Sequence, residues 1–93
     1  MSYQTFQISG EIKTIEDVVN FSEKYQEKTF VVAYDTSADY SYDAALTLAN
    51  TKIGMIDDFK VGDHVTVHFN PSSRKVKGNF YTKLNVWKIE RQR

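Results

Sequence analysis

The feature that most constrains the fold of this chain is the alternation of apolar and polar residues in short segments. The first such segment is Tyr3–Lys13. There, Phe6, Ile8 and Ile12 lie on one side of an extended chain, and polar side chains lie on the other. A period of two residues is typical of a β-strand with one buried face. Gly10 falls on the buried side, where a missing side chain lets a long strand bend around a small barrel.

Four later segments also have the composition or the alternation of strands. They are Thr29–Asp35, Ala44–Asn50, His64–Asn70 and Phe80–Glu90. Between the third and fourth strands, Thr51–Phe59 places apolar residues at three-residue steps, which predicts one or two turns of helix.

Three connecting segments carry no strand pattern. We interpret Ile15–Gln26 as a loop or a short helical turn, Thr36–Asp43 as a turn, and Pro71–Gly78 as a cationic loop. Five strands with a helix between the third and fourth form the element order of the OB-fold, an all-β, partly open five-stranded barrel. An SH3-like barrel also has five strands but usually lacks that helix.

Length and composition set the broad class of the protein. The chain has 93 residues, so we expect residues 1–93 to form one domain with a single modest core. No apolar run approaches the roughly 20 residues of a membrane span, and the N-terminus lacks the pattern of a secretory signal. The chain has no cysteine, which excludes disulfides and thiolate metal sites. We therefore expect a cytoplasmic protein that has no membrane partner.

The charges are unevenly distributed along a chain whose net charge is zero. Residues 1–45 carry eight acids and three bases, and residues 46–93 carry four acids and nine bases. This polarity would give the molecule one face that attracts phosphate. Charge halves of this size also arise by chance in small proteins.

The C-terminal segment combines cations with aromatic rings, as a groove for single-stranded nucleic acid requires. In the cationic loop, Arg74, Lys75 and Lys77 would contact phosphates. In the last strand, the side chains of Tyr81, Lys83, Asn85 and Trp87 should share a face opposite Leu84 and Val86, with Phe80 at the start of the strand. The simpler alternative is a basic edge strand and a turn whose charge serves solubility.

Three tyrosines are further candidates for stacking on bases. Tyr34 ends the second strand, and Tyr40 and Tyr42 follow it in a segment rich in aspartate. Because the aspartates oppose phosphate, these tyrosines could instead belong to a protein interface. The sequence also leaves open which face of this strand is buried.

Several short motifs resemble those of one protein family. They are the KVGD turn, the HVTVHF strand, Arg74, the ending GNFYTKLNVWKIE, the Gly10–Ile12 end of the first strand and the Phe30–Val32 pattern. Together they resemble small, single-domain OB-fold proteins of bacteria and phages, which are similar to single-stranded DNA-binding proteins. The chain departs from the family at Ala49, where a tryptophan is frequent, and at Val76, where an aromatic residue is frequent.

The resemblance and the residue pattern together favour a sequence-independent single-stranded DNA-binding protein that coats or protects DNA in replication or recombination. Homodimerisation or cooperative coating would supplement the weak binding of one small domain. Because the chain stops at basic residues, we expect no recruitment of partners through an acidic tail. The alternatives are an OB-type protein-interaction subunit and an RNA-binding module.

Catalysis is not expected, and neither is a cofactor or a metal. His64 and His68 share a strand face, but no third ligand has a recognisable spacing. No phosphate-binding glycine loop or nucleophile motif is present in the sequence.

Overall fold

The computed structural model describes residues 5–35 and 42–92, which form six strands and one 3₁₀ helix. The elements are β1 (Phe6–Ile15), β2 (Val19–Ser22), β3 (Tyr25–Asp35), β4 (Tyr42–Ala49), η1 (Asn50–Asp58), β5 (His64–Val76) and β6 (Asn79–Arg91). No helix in this part of the chain is long and apolar enough to cross a membrane.

Five of the strands close into a barrel. The order around it is β1, β5, β6, β4 and β3, and β1 pairs with both β5 and β3. All the pairings are antiparallel except that of β4 with β6, which is parallel and centres on Thr47 and Asn85. The parallel contact and the 3₁₀ helix after β4 make this the barrel of the OB-fold, and the predicted fold class is confirmed.

Alternating apolar residues from every barrel strand fill the interior. Phe30 of β3 is opposite Leu46 of β4. These two side chains, together with Val32 of β3 and Leu48 of β4, are inaccessible to solvent. The buried set also contains Ile12, Ile56, Val65, Val67 and Val86. The sequence left open which face of this strand is buried, and the structure places the face of Phe30 and Val32 in the core.

Gly10 lies where β1 bends from its pairing with β5 to its pairing with β3. A Cβ atom built at this position would lie 2.0 Å from the carbonyl oxygen of Ala33 on β3. No side chain can be accommodated at that distance, so the close approach of the two backbones requires glycine. The predicted role of Gly10 in bending the strand is consistent with this geometry.

Two predictions about the connecting segments are wrong. The segment Ile15–Gln26 contains β2 and the start of β3, which pair as an antiparallel hairpin attached to the edge of the barrel. Because of this extra strand, the helix follows the fourth strand of the chain and not the third. The predicted short helix itself is present, as the 3₁₀ helix η1.

The prediction of a cationic loop at Pro71–Gly78 is also wrong, because most of this segment is strand. β5 continues to Val76 and pairs with β6 as far as Asn79. Only Lys77 and Gly78 form the turn, with φ angles of 50° and 84°. Two consecutive positive φ angles are typical of the tight turn that matches the twist of a hairpin.

Candidate nucleic-acid interface

A groove of about 760 Å³ lies between the two hairpins. The β2–β3 hairpin supplies one wall, and the outer part of the β5–β6 hairpin supplies the other. The lining residues are Phe21 and Tyr25 on the first wall and Ser72, Ser73, Arg74, Val76, Tyr81, Lys83 and Asn85 on the second. The groove is therefore lined by aromatic rings, cations and small polar groups.

The register of the β5–β6 hairpin determines which side chains face the groove. Residues directly opposite each other on paired strands lie on the same face. Arg74 is opposite Tyr81, and Ser72 is opposite Lys83. Asn85 lies further along this face, and its amide donates a hydrogen bond of 2.8 Å to the Ser72 hydroxyl. One face of the hairpin thus presents Arg74, Tyr81 and Lys83 together.

The other face of the hairpin carries Lys75 and Phe80, which the sequence analysis also proposed for the groove. Lys75 is opposite Phe80, and its ammonium nitrogen lies 5.6 Å from the centre of the Phe80 ring. Phe80 is 70% exposed. Lys77 occupies the turn. The structure therefore separates Lys75, Lys77 and Phe80 from the groove, although each is adjacent in sequence to a residue that lines the groove.

Lys83 connects the two walls of the groove. Its ammonium nitrogen lies 2.5 Å from a carboxylate oxygen of Glu27 on β3 and 5.5 Å from the centre of the Phe21 ring on β2. The Tyr25 hydroxyl donates a hydrogen bond of 2.6 Å to the same oxygen of Glu27. Lys83 is half exposed, whereas the Glu27 side chain is buried.

These contacts set the ionisation of the cluster. Burial by itself raises the pKa of Glu27, but the hydrogen bonds from Lys83 and Tyr25 outweigh it, and the pKa lies below its ordinary value. The hydrogen bond to Glu27 raises the pKa of Tyr25, while the nearby Arg74 charge opposes that rise. The Glu27 carboxylate is therefore ionised, and its charge balances that of Lys83.

The surface beside the groove is formed by small side chains of β3 and β4. Thr29 is opposite Thr47, and Ala49 is opposite Glu27. Thr47 also pairs with Asn85 across the parallel contact, which joins this surface to the groove.

Trp87 lies on the same outward side of β6, beyond the residues that line the groove. It is the extra residue of a β-bulge, because His68 pairs with Lys88 whereas Phe69 pairs with Val86. Its ring packs against the His68 ring with centres 5.2 Å apart, and 39% of the residue is exposed. Trp87 is thus available at the end of the groove face.

Tyr34 and Tyr42, two of the predicted tyrosines, do not line the groove. Tyr34 comes nine positions after Tyr25 on β3, which corresponds to about 30 Å of strand. Its ring stacks on that of Tyr42, with centres 5.8 Å apart, and both residues are about half exposed. Tyr40 lies outside the described residues.

Sequence reasoning missed the whole first wall, which consists of Phe21 and Tyr25, and also Glu27 beside it. These residues fall in or beside the segment that we interpreted as a loop. A signal for a short hairpin was present, because Val19 and Phe21 are two residues apart and the polar pair Glu23–Lys24 follows them.

Comparison with known families identifies the chain. The family described as "Domain of unknown function (DUF3127)" matches residues 7–90. The chain belongs to the DUF3127 family. No curated protein matches this DUF3127 chain.

Solved structures similar to this DUF3127 protein share its fold at low sequence identity. The mitochondrial single-stranded DNA-binding protein Rim1 of S. cerevisiae is 13% identical, with a TM-score of 0.76 and coverage of 97% of this chain and 96% of Rim1. The dimeric N-terminal domain of PriB from Thermoanaerobacter tencongensis is 11% identical, with a TM-score of 0.69 and coverage of 96% of each chain. The small single-stranded DNA-binding protein of Streptomyces coelicolor is 14% identical, with a TM-score of 0.56, covering 99% of this chain and 96% of that one. At these identities the likeness establishes the OB-fold, and the resemblance to an OB-fold family similar to single-stranded DNA-binding proteins is confirmed.

Proposed function

We propose that this protein binds single-stranded DNA without sequence preference, in the groove between its two hairpins. The observation that carries the proposal is the shared face of Arg74, Tyr81 and Lys83 opposite the rings of Phe21 and Tyr25. Cations beside exposed rings are what a single strand requires, because phosphates need positive charge and bases stack on flat surfaces. The hairpins correspond to the loops that OB-folds use to hold oligonucleotides.

The fold neighbours support this proposal, since two of them are single-stranded DNA-binding proteins by name. We propose further that the protein acts by binding and not by catalysis. The groove offers rings, a guanidinium, amides and hydroxyls, which suit stacking and phosphate contacts. Self-association on DNA is also proposed, because one groove of this size would hold only a few nucleotides; sedimentation velocity with and without oligonucleotide would measure it.

The first test is binding to fluorescently labelled oligo-dT, measured by anisotropy over a range of salt concentrations. We expect binding at about 50 mM salt that weakens steeply as salt increases, because phosphate contacts release counterions. Trp87 is the only tryptophan, so a change in its fluorescence would report whether the strand reaches the end of the groove face. Absence of binding at low salt would contradict the proposal.

Neighbouring cations on opposite faces provide a matched control. Arg74→Glu and Lys75→Glu make the same charge change at adjacent positions, but only Arg74 lines the groove. We expect Arg74→Glu to weaken oligo-dT binding at least about tenfold, since it replaces a phosphate contact with a repulsive charge. We expect a much smaller effect of Lys75→Glu. Equal effects would mean that binding depends on overall charge and not on the groove.

Two parallel titrations separate the other classes of ligand. If oligo-rU binds more tightly than oligo-dT, the preferred ligand is RNA and the proposal must be revised. If neither oligonucleotide binds, the exposed rings of Phe21 and Tyr81 would instead suit a protein partner, and the protein would be an OB-type interaction subunit.

A further inference from the structure

Glu27 is an unexpected residue beside a groove proposed to bind a polyanion. Its carboxylate contacts two residues that line the groove: it accepts a hydrogen bond from Tyr25 and pairs with Lys83 at 2.5 Å. The carboxylate side chain is only 8% exposed. A buried carboxylate must keep its partner, because separation would leave an uncompensated charge in a poorly solvated site.

Lys83 is consequently not a free cation. To contact a phosphate at full strength, its ammonium group would have to leave Glu27 and also its position over the Phe21 ring. The net charge of the pair is zero, so the pair attracts a phosphate far less than an isolated lysine would.

Arg74 lies on the same face of the hairpin as Lys83 but differs from it in its partners. Within residues 5–35 and 42–92, Arg74 forms no ion pair with a carboxylate. Its charge acts on Tyr25 across the groove, where it opposes the rise in the tyrosine pKa. Because Arg74 lines the groove and has no carboxylate partner among these residues, its charge is available to a ligand.

We infer that Glu27 withholds Lys83 from the ligand, so that Arg74 binds the phosphate backbone and the end of the groove near Glu27 receives bases. Glu27 acts here as a positioning residue. It holds Lys83 and Tyr25 in place and keeps the region around Phe21 and Tyr25 electrically neutral, which suits stacking. This inference rests on the proposed function and assigns an orientation to the strand in the groove.

The test measures how oligo-dT affinity depends on salt for the wild type and four variants. Each phosphate contact on a single strand contributes about −0.7 to the slope of log affinity against log salt. Arg74→Gln should make the slope shallower by about 0.7. Lys83→Gln removes no phosphate contact but leaves the Glu27 charge unpaired, so any change in its slope should disappear when Glu27 is also neutralised. Glu27→Gln should release Lys83 and make the slope steeper by about 0.7. The double variant Glu27→Gln/Lys83→Gln should return the slope to the wild-type value.

Two results would overturn the inference. One is a shallower slope for the double variant Glu27→Gln/Lys83→Gln, in which no unpaired carboxylate remains; it would mean that Lys83 already contacts phosphate in the wild type. The other is a wild-type slope for Glu27→Gln in a protein that binds DNA, which would mean that removing the carboxylate releases no cation. Circular dichroism and thermal melting of each variant establish that the slopes refer to folded protein.

Failure of the proposed function would look different from failure of this inference. If the wild type does not bind oligo-dT, the slopes cannot be measured and the proposed function is wrong, and the orientation inferred here is wrong with it. If the wild type binds but the slopes of all variants match, the function stands and the inference about Glu27 is overturned.

Discussion

The two ends of the β5–β6 hairpin belong to the same pair of strands but have opposite environments. At the barrel end, Val65, Val67 and Val86 are buried in the core. At the projecting end, Phe80 and Tyr81 are 70% and 58% exposed. The barrel end packs on β1, β3 and β4, whereas the projecting end extends past them and forms a wall of the groove. A strand pattern therefore predicts the two faces of a strand, but other elements decide whether either face is buried.

This comparison predicts that stability resides in the barrel and that binding resides in the projecting end. The largest effect is expected from truncating a phenylalanine of the core. Phe30→Ala should lower the free energy of unfolding by about 3–5 kcal/mol, because it leaves a cavity where the side chain is fully buried. Phe80→Ala, the same change at an exposed position, should cost less than about 0.5 kcal/mol. Urea denaturation measures the free energy of unfolding of both variants. Similar losses for the two would contradict the assignment of stability to the barrel.

A smaller effect is expected on binding at the projecting end. Tyr81→Ala should weaken oligo-dT binding by about 1–3 kcal/mol, the usual contribution of a ring that stacks on a base. Phe80→Ala is the matched control, because this ring is adjacent in sequence but lies on the face with Lys75, away from the groove. Anisotropy titrations would measure the oligo-dT affinity of both variants. An equal loss of affinity for Phe80→Ala would show that binding does not depend on the groove face.

The turn of the hairpin provides a third measure. Gly78 has a φ angle of 84°, so Gly78→Ala should destabilise the protein by about 1 kcal/mol because a Cβ atom is strained in that conformation. Gly54→Ala in the 3₁₀ helix is the control, since the φ angle there is not in the positive region and a Cβ atom would meet only the Asp57 carboxylate at 3.9 Å. Thermal melting compares the two, and a neutral Gly78→Ala would indicate that the turn relaxes.

The smallest effect concerns pH. Because Lys83 and Tyr25 hold the pKa of Glu27 below its ordinary value of 4.5, Glu27 stabilises the fold above that pH. This contribution should be lost as the pH falls below 4.5 and through the pKa of the folded state. Melting temperatures of the wild type and Glu27→Gln, measured from about pH 7 down to about pH 3, should therefore converge on acidification. A difference that stays constant with pH would contradict the assignment.

Much of the fold could be predicted because the barrel strands carry strong local patterns. The buried positions Ile12, Val65, Val67 and Val86 follow from alternation, and Gly10 marks the bend in β1. The same pattern placed Phe6 on the buried face, but this residue is 36% exposed. The short β2 could not be predicted with the same certainty, since four residues with an exposed face carry little periodic signal. The extension of β5 through Pro71–Val76 was also hidden, because polar and charged residues on both faces resemble a loop.

The candidate site was only partly visible in the sequence. Arg74, Tyr81 and Lys83 were identified from the mixture of cations and rings, but Lys75, Lys77 and Phe80 belong to the same mixture and lie elsewhere. Tyr34 and Tyr42 stack on each other at the far end of β3. Composition reports which residue types are near one another in sequence, whereas strand register decides which of them share a face.

The sequence by itself determined the barrel strands, the glycine at the bend and the excess of cations near the C-terminus, because each depends on residues close together in the chain. Only the tertiary structure brought Glu27 to Lys83, 56 positions away in sequence. That contact depends on how β3 and β6 are placed around the barrel, which no local pattern encodes. The contact links the two walls of the groove, and in the proposed binding mode it leaves Arg74 as the cation that faces the ligand.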